Sequence, residues 1–314
     1  MTKPLNISAA VITNCADEVA LLHMVHSVLP SCSEVVIGAN AKFEYVREMF
    51  KDIDKVKVYE QEWHKDFSRA RNEVLAKCSG DWILVIDSDE MLNSHIEYLD
   101  ESYSVYLCRI RQAINEAEID TQEHYEVRIF RNDIGAEYKG KIHEQVSFPE
   151  MMKAAKCDVE ILQGGITDEE RKEKMRRNAE ILLNDSDNPN KDFLLCQTFN
   201  MTTEINTYLK HAFNVMHGDY DNSAKALVCY WTALTMAANN YGKDVVRQWL
   251  GASIMYEPMQ ICSRHILFKM LQEATAPETI LSNLYNKLKE INEARSSRLP
   301  LDYYLNQSFF EPKQ

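Results

Sequence analysis

Glycine and proline are scarce in this chain, nine and eight of 314 residues, and neither gathers into a tract. With 45% hydrophobic residues and no linker-like stretch, the chain can bury one large core or two moderate ones, and two domains are expected. Long apolar runs are missing too. None approaches the roughly 20 residues of a membrane span. The opening Met1-Thr2-Lys3-Pro4-Leu5-Asn6 gives way to a strand rather than to a signal-peptide hydrophobic region, so a cytoplasmic protein with no membrane span is expected. Paired cysteine motifs are absent: the eight cysteines stand singly at 15, 32, 78, 108, 157, 196, 229 and 262, with no Cys-x-x-Cys. They read as reduced, mostly buried thiols. Positive charge is in deficit, with 35 Lys and Arg against 48 Asp and Glu, a formal charge of −13. That balance slows approach to polyanions. A local basic patch can coexist with it, and Arg109, Arg111, Arg128, Arg131, Lys139 and Lys141 cluster in sequence, although the plainer reading is a set of surface strand residues.

What stands out against this background is Trp82-Ile83-Leu84-Val85-Ile86, an unbroken apolar run that stops at Asp87-Ser88-Asp89-Glu90. A short, non-alternating, β-branched run is expected for a central strand of a parallel sheet covered on both faces. Ligands of such sheets bind beyond the carboxyl ends of the strands. Asp87 and Asp89, one residue apart there, can aim two hard oxygen ligands at one Mg²⁺ or Mn²⁺. Read alone, the tetrapeptide favours the plainer reading, a solvated turn that caps the following segment.

The block Trp63-His64-Lys65-Asp66-Phe67-Ser68-Arg69-Ala70-Arg71-Asn72 leads into a helix whose apolar positions are Phe67, Ala70, Val74 and Cys78. At about 100° per residue Arg71 falls inside that stripe. A buried arginine needs an anion, so Arg71 is expected beside the acidic strand end, paired with Asp66 or Asp87 or with a bound diphosphate.

Four segments, Ile7 to Asn14, Trp63-x-x-Asp66-Phe67-Ser68-x-x-Arg71-Asn72, Trp82 to Glu90 and Ile142-His143-Glu144, together resemble the inverting family-2 glycosyltransferases of GT-A fold. The resemblance is nearest to the branch with a helical, tetratricopeptide-like C-terminal region, which includes the bacteriocin peptide S-glycosyltransferases. It implies that Asp87 and Asp89 hold Mn²⁺ or Mg²⁺ against the diphosphate of a nucleotide sugar, usually a UDP-sugar. Thr13, Asn14, Asp66, Arg71 and Ser88 would belong to the donor pocket with Asp87. Relatives usually end the second strand in an acidic stretch; here Gly38-Ala39-Asn40-Ala41 stands there, and Asn40 would take over its hydrogen bonding. Gln163-Gly164-Gly165-Ile166 likewise replaces a His-x-Gly-Tyr stretch found after the last strand in many relatives.

The periods alternate as strand 6–13, helix 17–28, strand 34–38, helix 43–50, strand 56–59, helix 67–78 and strand 82–86, with strands near 103–110 and 124–131 to complete the sheet. Thr167-Asp168-Glu169-Glu170 opens a helix to about Leu183. Helical patterns follow over 191–216, 222–239, 242–256, 258–274 and 277–294, with no strict repeat. The expected fold class is α/β: a GT-A, Rossmann-like, mainly parallel sheet over residues 1–166, followed by an all-helical region over 167–314.

Inverting transfer needs a base for the acceptor proton. His143-Glu144 is the pair the sequence offers, Glu144 as base and His143 as a group that orients the diphosphate or binds metal, on a loop able to swing over the donor sugar. The alternative is a surface loop. His23 and His26 have helical spacing but no carboxylate to complete a zinc site. Tyr230, Trp231 and Met236 read as helix core, and Lys172, Lys174, Arg176 and Arg177 as a solvated face. The expected partners are a nucleotide sugar and an acceptor peptide, glycan or modified DNA base, with a homodimer left open. Two other functions remain compatible: a catalytically silent binding module, and a nucleotidyltransferase that releases pyrophosphate.

Overall fold

The structure is a computed structural model that describes residues 5–113, 119–164, 167–200, 202–298 and 302–305. It divides into two compact units, one reaching Thr167 and taking in a strand at Asp302–Leu305, the other beginning at Asp168.

The first unit opens as β1 (Ile7–Thr13), α1 (Glu18–Val28), β2 (Glu34–Ala39), α2 (Phe43–Met49), β3 (Val56–Glu60), α3 (Phe67–Leu75) and β4 (Trp82–Val85). The four strands lie parallel in the order β3-β2-β1-β4. Every residue of β2 and β4 is buried, as a strand covered on both faces requires. One apolar layer packs Leu21, Met24 and Val28 of α1 and Val46 of α2 against Ile7, Val35 and Leu84. The other packs Val74 and Leu75 of α3 against Ala10, Val36 and Val85. Asp17 and Asp66 cap the two helices, accepting from Ala20 N and Arg69 N at 2.9 Å each. Helix α3 stops at Leu75, short of Cys78, because Lys77 N and Cys78 N turn back to Val74 O and Leu75 O before Gly80.

The chain continues through β5 (Glu90–Leu92), β6 (Val105–Ala113), β7 (Ile119–Arg131), β8 (Glu137–Lys139), β9 (Gln145–Ser147) and β10 (Met152–Gln163). Beyond β4 it becomes mixed: β7 is antiparallel to β4 and to β6, while β6 is parallel to β10. Strand β5 pairs with the end of β10, and β8 with β9 forms a separate hairpin. Five strands fall outside the strand pattern read from the sequence: β5, β8 and β9, of three residues each, β10, whose register is interrupted, and a last strand of four residues.

The second unit runs through α4 (Asp168–Leu183), α5 (Lys191–Thr198), α6 (Ile205–His217), α7 (Asn222–Ala238), α8 (Lys243–Tyr256), α9 (Ile261–Glu273) and α10 (Glu278–Arg298). The pattern over 191–216 is thus two helices. Met236, Val246 and Leu250 form an apolar cluster, and buried Tyr208 bonds Val228 O and Thr232 Oγ1 at 3.1 and 2.9 Å. Tyr230 and Trp231 are half-buried in α7, whereas Lys172, Lys174, Arg176 and Arg177 are exposed. The strand β11 (Asp302–Leu305) returns to pair antiparallel with β10, although the sequence reading assigned all of 167–314 to the helical region. Among the described residues, no helix is long and apolar enough to cross a membrane.

Candidate functional site

The carboxyl ends of β1, β2 and β4 bring the expected donor residues to one rim. Thr13 is buried and its Oγ1 accepts Cys15 N at 2.9 Å; exposed Asn14 accepts Ala16 N at 3.1 Å. Asn40 N donates to Thr13 O at 3.0 Å, tying the ends of β1 and β2 together. Beyond β4, Asp87 and Ser88 are half-buried and Asp89 is exposed.

Glu90 closes the acid turn. Its Oε2 accepts Asp87 N at 2.8 Å, and its carboxylate is gripped by both terminal nitrogens of Arg128, at 2.8 and 3.0 Å. Glu90 is 0% exposed, and burial together with the neighbouring Asp87 pushes its carboxyl up to about 7 against the pull of Arg128. It is an anchor beneath the turn. Arg128 is itself buried, contrary to the surface reading of the basic cluster, because it must neutralise this acid. Burial alone would lower the Arg128 guanidinium; Glu90, Asp87 and Glu126 outweigh it and raise it.

Arg71 forks between two acids. Its Nη2 donates to Asp87 Oδ1 at 2.8 Å and its Nε to Glu144 Oε1 at 2.7 Å, while its guanidinium lies 5.3 Å from the Tyr138 ring centre. Burial opposes its charge, but Asp87, Tyr138 and Glu144 raise it well above the usual arginine range. Asp66 does not join this fork: its side chain caps α3.

The hairpin that carries His143 and Glu144 is fastened to α3. Asn72 accepts Tyr138 N at 2.8 Å and donates to Tyr138 O at 2.9 Å; Phe67 N reaches Lys141 O at 2.9 Å, and Ser68 Oγ donates to Gly140 O. Gly140 (φ +97°) and His143 (φ +53°) both take left-handed backbone in this turn, which glycine adopts freely and histidine does not. The expected swinging loop is therefore a clamped one.

The sequence reading missed Glu90, Arg128, Glu126 and His124 as one network. The one signal the sequence carries is a spacing: His124, Glu126 and Arg128 recur at i, i+2 and i+4 in a strand. A concavity lined by Leu5, Trp82, Arg131 and Asn132 lies at the other end of β4 and holds none of these acids.

Asp87 and Asp89 supply hard oxygen donors, and among the described residues no three His, Cys, Asp or Glu converge on one point. That donor set fits Mg²⁺ or Mn²⁺, which take one or two carboxylates and complete their shell with phosphate oxygens and water, rather than an all-protein cage.

Among curated proteins, a TPR repeat-containing protein from Synechococcus elongatus is 32% identical over 95 residues, 29% of this chain and 23% of that protein, so the match spans about a quarter of its length. Among solved structures, S. aureus TarS 1–349 in complex with UDP is 15% identical, with 94% of this chain and 92% of that one covered at a TM-score of 0.39. GalNAc-T7 with UDP, GalNAc and Mn²⁺ is 12% identical, covering 52% and 44% at 0.38. Residues 10–158 match the family model described as glycosyl transferase family 2.

Proposed function

We propose that the chain transfers a sugar from a nucleoside diphosphate donor, a UDP-sugar, and that the donor binds at the rim of β1, β2 and β4. The observation that carries this reading is the junction of Arg71, Asp87 and Glu144 beside exposed Asp89, at the carboxyl end of a buried parallel strand in a family-2 stretch. Asp87 and Asp89 would hold the divalent cation, whose chemistry there is to offset charge on the departing diphosphate. Arg71 presents a planar cation to the same region, and Glu144 fixes its orientation. Thr13, Asn14, Asn40 and Ser88 line the rim on which the nucleotide would lie, and His143 stands beside Glu144 on the clamped hairpin.

The test is thermal. A ligand that binds only the folded state raises apparent stability with the logarithm of its excess over Kd, so UDP with Mn²⁺ is expected to raise the melting temperature of the wild type and not of Asp89→Ala. No shift with UDP or any UDP-sugar, with or without Mn²⁺, would remove the donor assignment.

A further inference from the structure

Strand β7 pairs antiparallel with β4, and their register closes at Leu84↔Ile129. Residues before Ile129 therefore run on past the end of β4, over the rim where Asp87 and Asp89 sit. His124 and Glu126 share one face of β7, opposite Ile110 and Cys108 of β6. Arg128 follows two residues on, at a point where the register with β6 slips by one, and its guanidinium meets Glu126. The contacts follow in order outward. Arg128 Nη1 is 3.9 Å from Asp87 Oδ2, Arg128 Nη2 is 3.0 Å from Glu126 Oε2, and Glu126 Oε1 is 3.0 Å from His124 Nε2. Side-chain exposure rises along the same line, from 9% to 47% to 59%.

A sugar ring separates the diphosphate of a donor from the atom that attacks it. The proton acceptor for that atom belongs one sugar's length outside the cation-binding acids, not among them. Glu144 lies among them, 11% exposed and with one oxygen held by Arg71. We propose that His124, oriented by Glu126, takes the proton of the acceptor. The assignment rests on the donor reading above.

In this step Nε2–H of His124 donates to Glu126, which leaves the lone pair on Nδ1. The acceptor's O–H or S–H proton passes to Nδ1 as its heteroatom bonds to the anomeric carbon of the sugar. The bond from that carbon to the diphosphate oxygen breaks, and the diphosphate leaves with the electron pair. The imidazolium then releases its proton to water. The geometry is that of a carboxylate backing an imidazole, with Glu126 as the positioning residue. The bond to Glu126 also raises the basicity of His124, with burial opposing it.

The experiment compares His124→Gln, Glu126→Gln and Glu144→Gln with the wild type in two measurements. The first is the melting shift given by UDP with Mn²⁺. The second is UDP release from UDP-glucose, UDP-GlcNAc and UDP-GalNAc with water as acceptor, followed across pH. His124→Gln is expected to keep the shift and lose turnover 100-fold or more, within the range of general-base catalysis. Glu126→Gln is expected to keep the shift and move the acid limb of the profile to lower pH, since the imidazole's charged neighbours are Glu126 and Arg128 on its own strand and Glu90 on β5. Turnover of His124→Gln within threefold of wild type, with the UDP shift intact, overturns this assignment alone. If Glu144→Gln is then the inactive variant, Glu144 is the base. Absence of any UDP shift in the wild type sinks the donor reading itself.

Discussion

Arg71 and Arg128 are each shared between acids, and that sharing makes single changes costly. Removing Arg128 leaves Glu90, which has no exposed surface, as an unpaired buried acid. Breaking a buried pair from one side costs about 3–5 kcal/mol, whereas replacing both partners with apolar side chains is often close to neutral. Arg128→Met is therefore expected to lower stability by that amount in urea denaturation, and the double variant Glu90→Met/Arg128→Met to recover most of it. Arg71 was legible in the sequence because a charge inside an apolar helical stripe demands a partner. Arg128 was not. A strand arginine amid other basic residues reads as surface, and Glu90 reads as one more member of an acidic turn. Only the fold of that turn, with Glu90 folded back onto Asp87 N, reveals that one of the three acids points inward.

At the scale of elements, the parallel series was legible because β1, β2 and β4 carry continuous apolar runs separated by capped helices. The hairpin β8–β9 and strand β5 were not, since three residues hold no period to read. Strand β10 hides its alternation behind a register break between Lys156 and Glu160. A signal for the close approach of α3 to the sheet does exist: a side chain on Gly38 would fall 2.6 Å from Val74 Cγ2 and 2.8 Å from Gln61 Oε1. The hairpin's attachment rests on side-chain contacts that no periodicity encodes, above all the two-way bond of Asn72 with the Tyr138 backbone. Asn72→Ala leaves that N–H and C=O without their partner, at about 1–3 kcal/mol for each group. Hydrogen exchange of the Tyr138 amide is expected to quicken at least tenfold in this variant, with exchange in β1 unchanged. Equal protection in both proteins would mean that the hairpin is held by other contacts.

For the whole molecule, resistance to acid has an identifiable anchor. Glu34 joins three segments of the sheet unit: it accepts from Ser8 of β1 at 2.6 Å, from Ser79 N ahead of β4 at 2.6 Å, and from Lys57 of β3 at 2.5 Å. Burial would push its carboxyl up, but the bonds from Lys57, Ser8 and Ser79 win and hold it at about 2, below its ordinary 4.5. A carboxyl lowered in the folded state binds fewer protons folded than unfolded, so its stabilisation is complete above about 4.5 and drains away as pH falls towards 2. Acid unfolding of the wild type is expected to steepen in that window, and Glu34→Gln to flatten the slope there while lowering stability at neutral pH. An unchanged slope would assign the acid sensitivity to other groups. The helical stretch after residue 167 was legible as such from its 3.6-residue period and from breaks such as Asn239-Asn240-Tyr241-Gly242, where Asn240 takes left-handed backbone. What no period conveyed is the return of Asp302–Leu305 to the edge of β10. The forked arginines have a last consequence, and it is kinetic. Around the rim Asp87, Asp89, Glu126 and Glu144 set four carboxylates against the two guanidinium groups, so an incoming diphosphate meets a repulsive field. Association of UDP without a divalent ion is expected to accelerate as added salt screens that field, and association together with Mn²⁺ to be far less sensitive to ionic strength.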